Sequence, residues 1–391
     1  MIIRNLLPDE YTKSSKVISS AYSFKWTEQD EKKIFVPEYC YGAFCDDNST
    51  LMSVLYSVSL KSSYYGKFVK SAGAGMVATL PMYRRQGCVK SIFDTVYEKM
   101  QKNGEIFSFI YPFSYSYYRK FGYEQIAEKY ILTFPISAFD PLPSNTGGKL
   151  LDNRADFEVL KSVYTKYALS VQCAFDRTDA MWEKKLTLEP YNTNLHTYLW
   201  YNSQGEAKGY FTFILENRIM TVYDMAYTDC EGLCGIIGFI KGFAGRVDKV
   251  TFKNISRDCP LRYILKEYSA SSGKLSSWFM ARVTDVKSAL ENAQYPVQSG
   301  HFSIRINDFL AHNNKIFDVE YGDKKCLVTT RDSGKYDLMC DIPLATRIFL
   351  GSDTFTKNLL SYCPSAEVCG NIDSLLNVFS RKEIYLNDSA V

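Results

Sequence analysis

The chain has 391 residues, 23% of them charged and 46% hydrophobic, proportions that exclude a disordered or fibrous protein and suit about two to three globular domains. Its 46 basic and 43 acidic side chains are well mixed and leave a net charge of +3, so no long-range field draws it to nucleic acid or to a membrane surface. No apolar run approaches the roughly 20 residues that span a bilayer, and the charged start of the chain lacks a signal peptide's apolar core, so the expected location is cytoplasmic.

In chain order, residues 11–21 carry a helical apolar period, while 41–44 and 50–60 read as strands. The run Val77-Ala78-Thr79-Leu80 meets Pro81-Met82-Tyr83-Arg84-Arg85-Gln86-Gly87-Cys88, after which Val89, Ile92, Phe93, Val96 and Met100 recur at helical spacing. That pattern is a strand, a basic glycine-bearing turn and a helix. Asn103-Gly104 marks a turn, 106–111 a buried strand, 115–120 a short helix closed by Gly122, and 129–134 a further strand. Residues 139–148 gather Pro141, Pro143, Asn145, Gly147 and Gly148 without apolar periodicity, so a first α/β unit is expected over 1–145. A second is expected over 146–284, with a helix at 155–167, strands at 195–201, 207–215 and 219–226, and a helix at 233–243. From 285 to 391 a helix, short strands and further helical segments suggest a small α+β domain. The last stretch, 384–391, starts apolar and reads as docked.

The turn at Arg84 to Gly87 points to an anion. A helix N-terminus offers unpaired backbone N–H groups, Gly87 allows close approach, and Arg84 and Arg85 add charge-assisted donors. The equivalent turn of the second unit, Glu231-Gly232-Leu233-Cys234-Gly235, lacks arginine, which argues against a second phosphate site. In the segment Pro112-Phe113-Ser114-Tyr115-Ser116-Tyr117-Tyr118-Arg119-Lys120-Phe121-Gly122-Tyr123, Phe121 and at least one tyrosine are expected in the core. A tyrosine hydroxyl, with a reference pKa of about 10, stays protonated at neutral pH and can deliver a proton to a departing thiolate of pKa about 8.5. The 11 cysteines form no CxxC pair, and only His196, His301 and His312 are available; neither a disulfide framework nor a metal site is expected.

Together the RxxG turn and the tyrosine segment resemble the GNAT family of acetyl-CoA-dependent N-acyltransferases, and the order of parts resembles its Eis-type subfamily. The resemblance implies tandem GNAT-like domains, each a mixed sheet flanked by helices, followed by a sterol-carrier-protein-like α+β domain. It puts backbone groups of Val77, Ala78 and Thr79 along the pantetheine arm and acetyl group of acetyl-CoA, with an oxyanion donor near Val77. Arg84, Arg85, Gln86, Gly87, Cys88, Val89 and Lys90 then surround the pyrophosphate, and Phe113 and Ser114 form a second cofactor-side segment. Val89 departs from the small residue of the usual Q/R-x-x-G-x-G/A pattern. Tyr118 falls at the family's general acid, and the terminal carboxylate, here that of Val391, at its general base. The reference pKa of that carboxylate, about 3.3–3.7, means that either burial raises it or a water relays the proton. The reaction implied is direct transfer to an amine of a small cation or a lysine-containing peptide, without metal, in a homo-oligomer that the family suggests is a hexamer. The competing expectation is a non-catalytic carrier of CoA or lipid.

Overall fold

The computed structural model describes residues 1–22, 26–140, 142–143, 145–265 and 272–388. The first elements are β1 (Ile2–Asn5), α1 (Tyr11–Ala21), α2 (Glu28–Ile34), β2 (Cys40–Phe44), β3 (Leu51–Tyr64), β4 (Lys67–Thr79), α3 (Cys88–Asn103), β5 (Phe107–Ile110), α4 (Tyr115–Arg119) and β6 (Glu124–Gln125). They are followed by β7 (Glu128–Pro135), β8 (Gly148–Leu150), α5 (Arg154–Ser170), α6 (Asp179–Glu183), β9 (Leu195–Tyr201), β10 (Ala207–Glu216), β11 (Ile219–Tyr227), α7 (Cys230–Lys241), β12 (Lys249–Ile255), α8 (Leu261–Ile264), β13 (Ser272–Ser277) and β14 (Met280–Val283). The last group is α9 (Val286–Asn292), β15 (Gly300–Asn307), β16 (Ile316–Gly322), β17 (Lys325–Arg331), β18 (Leu338–Asp341), α10 (Ile342–Leu350), α11 (Lys357–Ser361), β19 (Ala366–Val368) and α12 (Asp373–Val378).

These strands build three sheets, in the orders β1-β2-β3-β4-β5-β14-β6, β13-β7-β12-β11-β10-β9-β8 and β17-β16-β15-β18-β19. Each is antiparallel except for one parallel pair, respectively β4 with β5, β11 with β12, and β15 with β18. The strand expected over 129–134 forms as β7 but pairs with β12 and β13 in the second sheet, ahead of the breaker-rich linker. In return β14, which the sequence pattern does not announce, inserts between β5 and β6 of the first sheet. The two sheets therefore exchange strands. Alternation along a strand specifies that one face is buried, not which sheet supplies the neighbour.

The faces of the first sheet follow the two-residue period of its strands. Phe107 and Phe109 of β5 and Ala281 and Val283 of β14 face a core that also contains Phe302, Ile304 and Phe317 of the third sheet, with α10 packed on β14. Ile110 and Met280 face the opposite side, packing with Ile92, Phe93, Val96 and Met100 of α3. Each such large side chain contributes about 1.5–3 kcal/mol when fully buried. The second sheet is covered by α7 on one face and by α5 on the other.

Arg282 locks the inserted strand. Fully buried, it donates from Nη2 to both carboxylate oxygens of Asp308 of the third unit, at 2.8 and 2.7 Å, and lies over the rings of Tyr97 and Phe309. Its Nη1 donates to the carbonyl of Phe121, just past α4. Removing one partner of such a buried pair costs about 3–5 kcal/mol. Gly122 is needed here on two counts: its φ is +81°, and a Cβ would collide with the Arg282 guanidinium.

Candidate active site

The candidate site begins where β4 and β5 part. They pair only from Ser71 with Phe107 to Ala74 with Ile110, whereas β4 runs on to Thr79. On its other edge β4 stays with β3, except for a bulge that gives β4 one extra residue between the partners of Val54 and Tyr56. Met76, at φ +47°, lies in that bulge, which bends the strand away from its neighbour. The backbone of Val77, Ala78 and Thr79 is thereby left beside a wedge rather than a paired strand. Tyr22, at the end of α1, sits near the Val77 backbone; burial pushes its hydroxyl up, and the nearby Val77 N–H offsets part of that rise. Sequence reasoning missed Tyr22, because only the packing of α1 on β4 brings it to a residue 55 positions away.

From the wedge the chain passes through a short 3-10 turn, Pro81–Tyr83, into the basic turn. Arg85 at φ +65° and Gly87 at φ +83° reverse the chain direction, and the Gln86 amide nitrogen donates to the Met82 carbonyl at 3.0 Å. Gly87 is the N-cap of α3 and supplies no side-chain cap, so the first amides of a 16-residue helix, those of Cys88, Val89 and Lys90, have no intrahelical partner. Arg84, Arg85, Gln86 and Gly87 are exposed. Cys88 and Val89 turn their side chains into the core and present backbone only. Burial pushes the Cys88 thiol up, which disfavours a nucleophilic thiolate. Lys90 points outward and pairs with Asp94 at 2.8 Å.

Beyond β5, Ser114 caps α4 by accepting from the Tyr117 N–H at 3.3 Å. Phe113 is two-thirds exposed and meets the Tyr118 ring edge-on at 5.3 Å. Tyr118 is itself 2% exposed and packs in the same cluster as Val77, Val89 and Ile110. The structure thus brings Tyr118, the wedge and the α3 N-terminus together. Burial, reinforced by the neighbouring Tyr22, Tyr117 and Tyr123, pushes the Tyr118 hydroxyl well above its ordinary value.

Val391 lies outside the described residues. The tail before it is docked as expected. Ile384 bridges Gln172 in parallel, the Trp278 indole N–H donates to the Leu386 carbonyl at 3.0 Å, and the Trp278 ring meets Tyr111 at 4.7 Å. The Tyr115 hydroxyl donates to the Trp278 carbonyl at 2.8 Å, which links the tail to the helix carrying Tyr118. In the second unit the helix start corresponding to the basic turn is closed: the carboxylate of Asp229 caps α7 by accepting from the Gly232 N–H at 2.9 Å, with Glu231 beside it. A carboxylate on those amides takes the place an anionic ligand would need.

Residues 3–126 match a family described as Acetyltransferase (GNAT) domain, and residues 173–283 match a second family of the same description. Among curated proteins none matches the sequence. The whole chain resembles several solved structures. One is a probable N-acyltransferase from Enterococcus faecalis V583, a conserved protein of unknown function (TM-score 0.83, 21% identity, 98% of this chain and 99% of that one). A second is a GCN5-related N-acetyltransferase from Anabaena variabilis (TM-score 0.82, 20% identity, 99% of each chain). A third is Eis1 from Mycobacterium abscessus (TM-score 0.82, 18% identity, 99% of each chain). The chain belongs to the GNAT acetyltransferases and has the whole-chain fold of their Eis-type members.

Proposed function

We propose that the chain moves an acetyl group from acetyl-CoA directly to an amine of a small cation or a lysine-containing peptide. One observation carries the reading: the wedge between β4 and β5 adjoins a glycine-led helix N-terminus with no side-chain cap, and Arg84 and Arg85 beside it enter no ion pair among the described residues. That donor set suits a pyrophosphate, because free amides, the helix dipole and two guanidinium groups all favour anionic oxygens. Gly87 also leaves space: a Cβ there would meet no atom within 4 Å.

In this reading Val77, Ala78 and Thr79 line the pantetheine arm through their backbone, Arg84 to Lys90 hold the pyrophosphate, and Phe113 and Ser114 flank the arm from the other side. The amine attacks the thioester carbonyl, and a backbone N–H near Val77 steadies the oxyanion. Tyr118 serves the departing sulfur. On reference values, full proton transfer from a phenol to a thiolate is uphill by about 2 kcal/mol, and burial steepens it. Tyr118 therefore acts first as a neutral hydrogen-bond donor to the developing thiolate, with proton release completed as the product leaves. The carboxylate of Val391 is the proposed acceptor of the amine proton.

We further propose units over 1–145, 146–284 and 285–391, the first two interlocked by β7 and β14, a sterol-carrier-like third unit, and a cytoplasmic homo-hexamer. The test of the reaction is release of free thiol from acetyl-CoA in the presence of polyamines, aminoglycosides and lysine-containing peptides. Release with at least one amine, absent without it, is expected. No release with any amine, together with tight lipid binding, would favour a carrier instead.

A further inference from the structure

The second sheet repeats the geometry of the first with a different occupant. β11 and β12 pair in parallel from Ile219 with Lys249 to Val222 with Phe252, and β11 then continues to Tyr227. The space where they part holds residues of this same chain. Asn387 spans both strands: its Nδ2 donates to the Tyr223 carbonyl at 3.0 Å and to Asp224 at 2.7 Å, while Asn254 Nδ2 of β12 donates to its Oδ1 at 2.7 Å. The Tyr385 hydroxyl donates to Asp224 at 2.7 Å. Asp388 accepts from Arg177 Nε at 3.0 Å and pairs with Lys185 at 3.3 Å.

Arg177 is the centre of the arrangement. Its remaining N–H groups go to Asp224 at 2.7 and 2.9 Å and to the Tyr210 hydroxyl at 2.9 Å, and its plane lies over Tyr164 and Trp182. The side chains of Arg177, Asp224 and Asp388 are 0, 1 and 3% exposed. Arg177 and Lys185 balance Asp224 and Asp388 only when the tail is in place. Without it a buried cation loses half its compensation, and Asp224 loses the donors of Tyr385 and Asn387; buried charges left that way are strongly unfavourable. The cleft is therefore incomplete without the tail.

We infer that the cleft between β11 and β12 is a binding site for the chain's own residues 385–388, and that Arg177 and Asp224 are positioning residues for acetyl transfer. The route is on the described residues. The held tail fixes Leu386 against Trp278, and Trp278 supports Tyr111 and Tyr115 at the two sides of the loop leading into α4, where Tyr118 stands. The kinetic half of the inference rests on the transfer reading; the docking half does not.

The test uses the full chain carrying Asp388→Asn or, as a milder change that removes one hydroxyl, Tyr385→Phe. Trimming by carboxypeptidase, followed by mass spectrometry, should stop short of residue 388 in the wild type. It should run past 384 about tenfold faster in Asp388→Asn, because proteolysis follows the population of the released tail. In the same preparations kcat should fall about 100-fold, the cost expected of a misplacement of about 1 Å, while KM for acetyl-CoA stays within about twofold. Tyr385→Phe should move both readouts in the same direction by less. Equal trimming of both variants and the wild type overturns the inference, and so does faster trimming with unchanged kcat. If the wild type transfers acetyl to no amine, the proposed reaction falls, and the trimming comparison still decides whether the cleft holds the tail.

Discussion

At the scale of single residues, the sequence was most legible where the chemistry is contiguous. Arg84 to Gly87 and Tyr118 stand in short motifs whose neighbours fix their conformation, the first in the turn that opens α3 and the second in the short helix α4. Tyr22 and Arg177 were not legible, because Val77 lies 55 residues from the first, and Tyr210, Asp224 and Asp388 lie 33, 47 and 211 residues from the second, distances that only tertiary packing closes. Replacing Tyr118 with Phe should lower kcat about 100-fold, within the range of a lost proton donor, with KM for acetyl-CoA nearly unchanged; steady-state kinetics with both substrates varied would show it. Glu383 offers a pH test. Burial pushes its carboxyl up to about 7, with Asp258 adding repulsion against the bonds from Tyr167 and Ser256; Tyr227 and Cys259 also lie close. A raised folded-state pKa means that its contribution to stability is complete below about 4.5, the value in the unfolded chain, and is lost as pH rises through about 7. Glu383→Gln should therefore raise Tm relative to the wild type above pH 7 and narrow the difference near pH 5, as thermal melts across that range would record.

Among the elements, helices and strands with clear apolar periods appeared close to their expected limits: α1 over Tyr11–Ala21, β9 over Leu195–Tyr201 and β11 over Ile219–Tyr227. What local pattern could not supply was membership. β7 has the alternation of any half-buried strand, and nothing in 129–134 distinguishes the first sheet from the second. β14 is four residues long, too short to carry a period, and its central Arg282 disguises a fully buried strand. The exchange has a consequence for truncation. A fragment of residues 1–145 lacks β14, exposes the edge of β5, and leaves the apolar face of Phe107 and Phe109 without its cover. It should be insoluble or melt without a cooperative transition, whereas a sharp calorimetric transition with retained acetyl-CoA binding would contradict the role given to β14.

Across the whole molecule, three sheets share one organisation in which each unit completes another. The third unit covers a face of the first sheet, the second lends it β14, and the tail that leaves the third unit is gripped by the second. The two parting-strand clefts divide the labour: one has bare amides and two arginines without an ion pair among the described residues, while the other is capped by Asp229 and occupied by the tail. The most direct test of this account is a crystal structure of the full chain with CoA. The account predicts pyrophosphate oxygens within hydrogen-bond distance of the Cys88, Val89 and Lys90 amides, with the pantetheine arm beside Val77 to Thr79 and its sulfur near the Tyr118 hydroxyl. CoA bound in the cleft between β11 and β12, or away from the α3 N-terminus altogether, would contradict it.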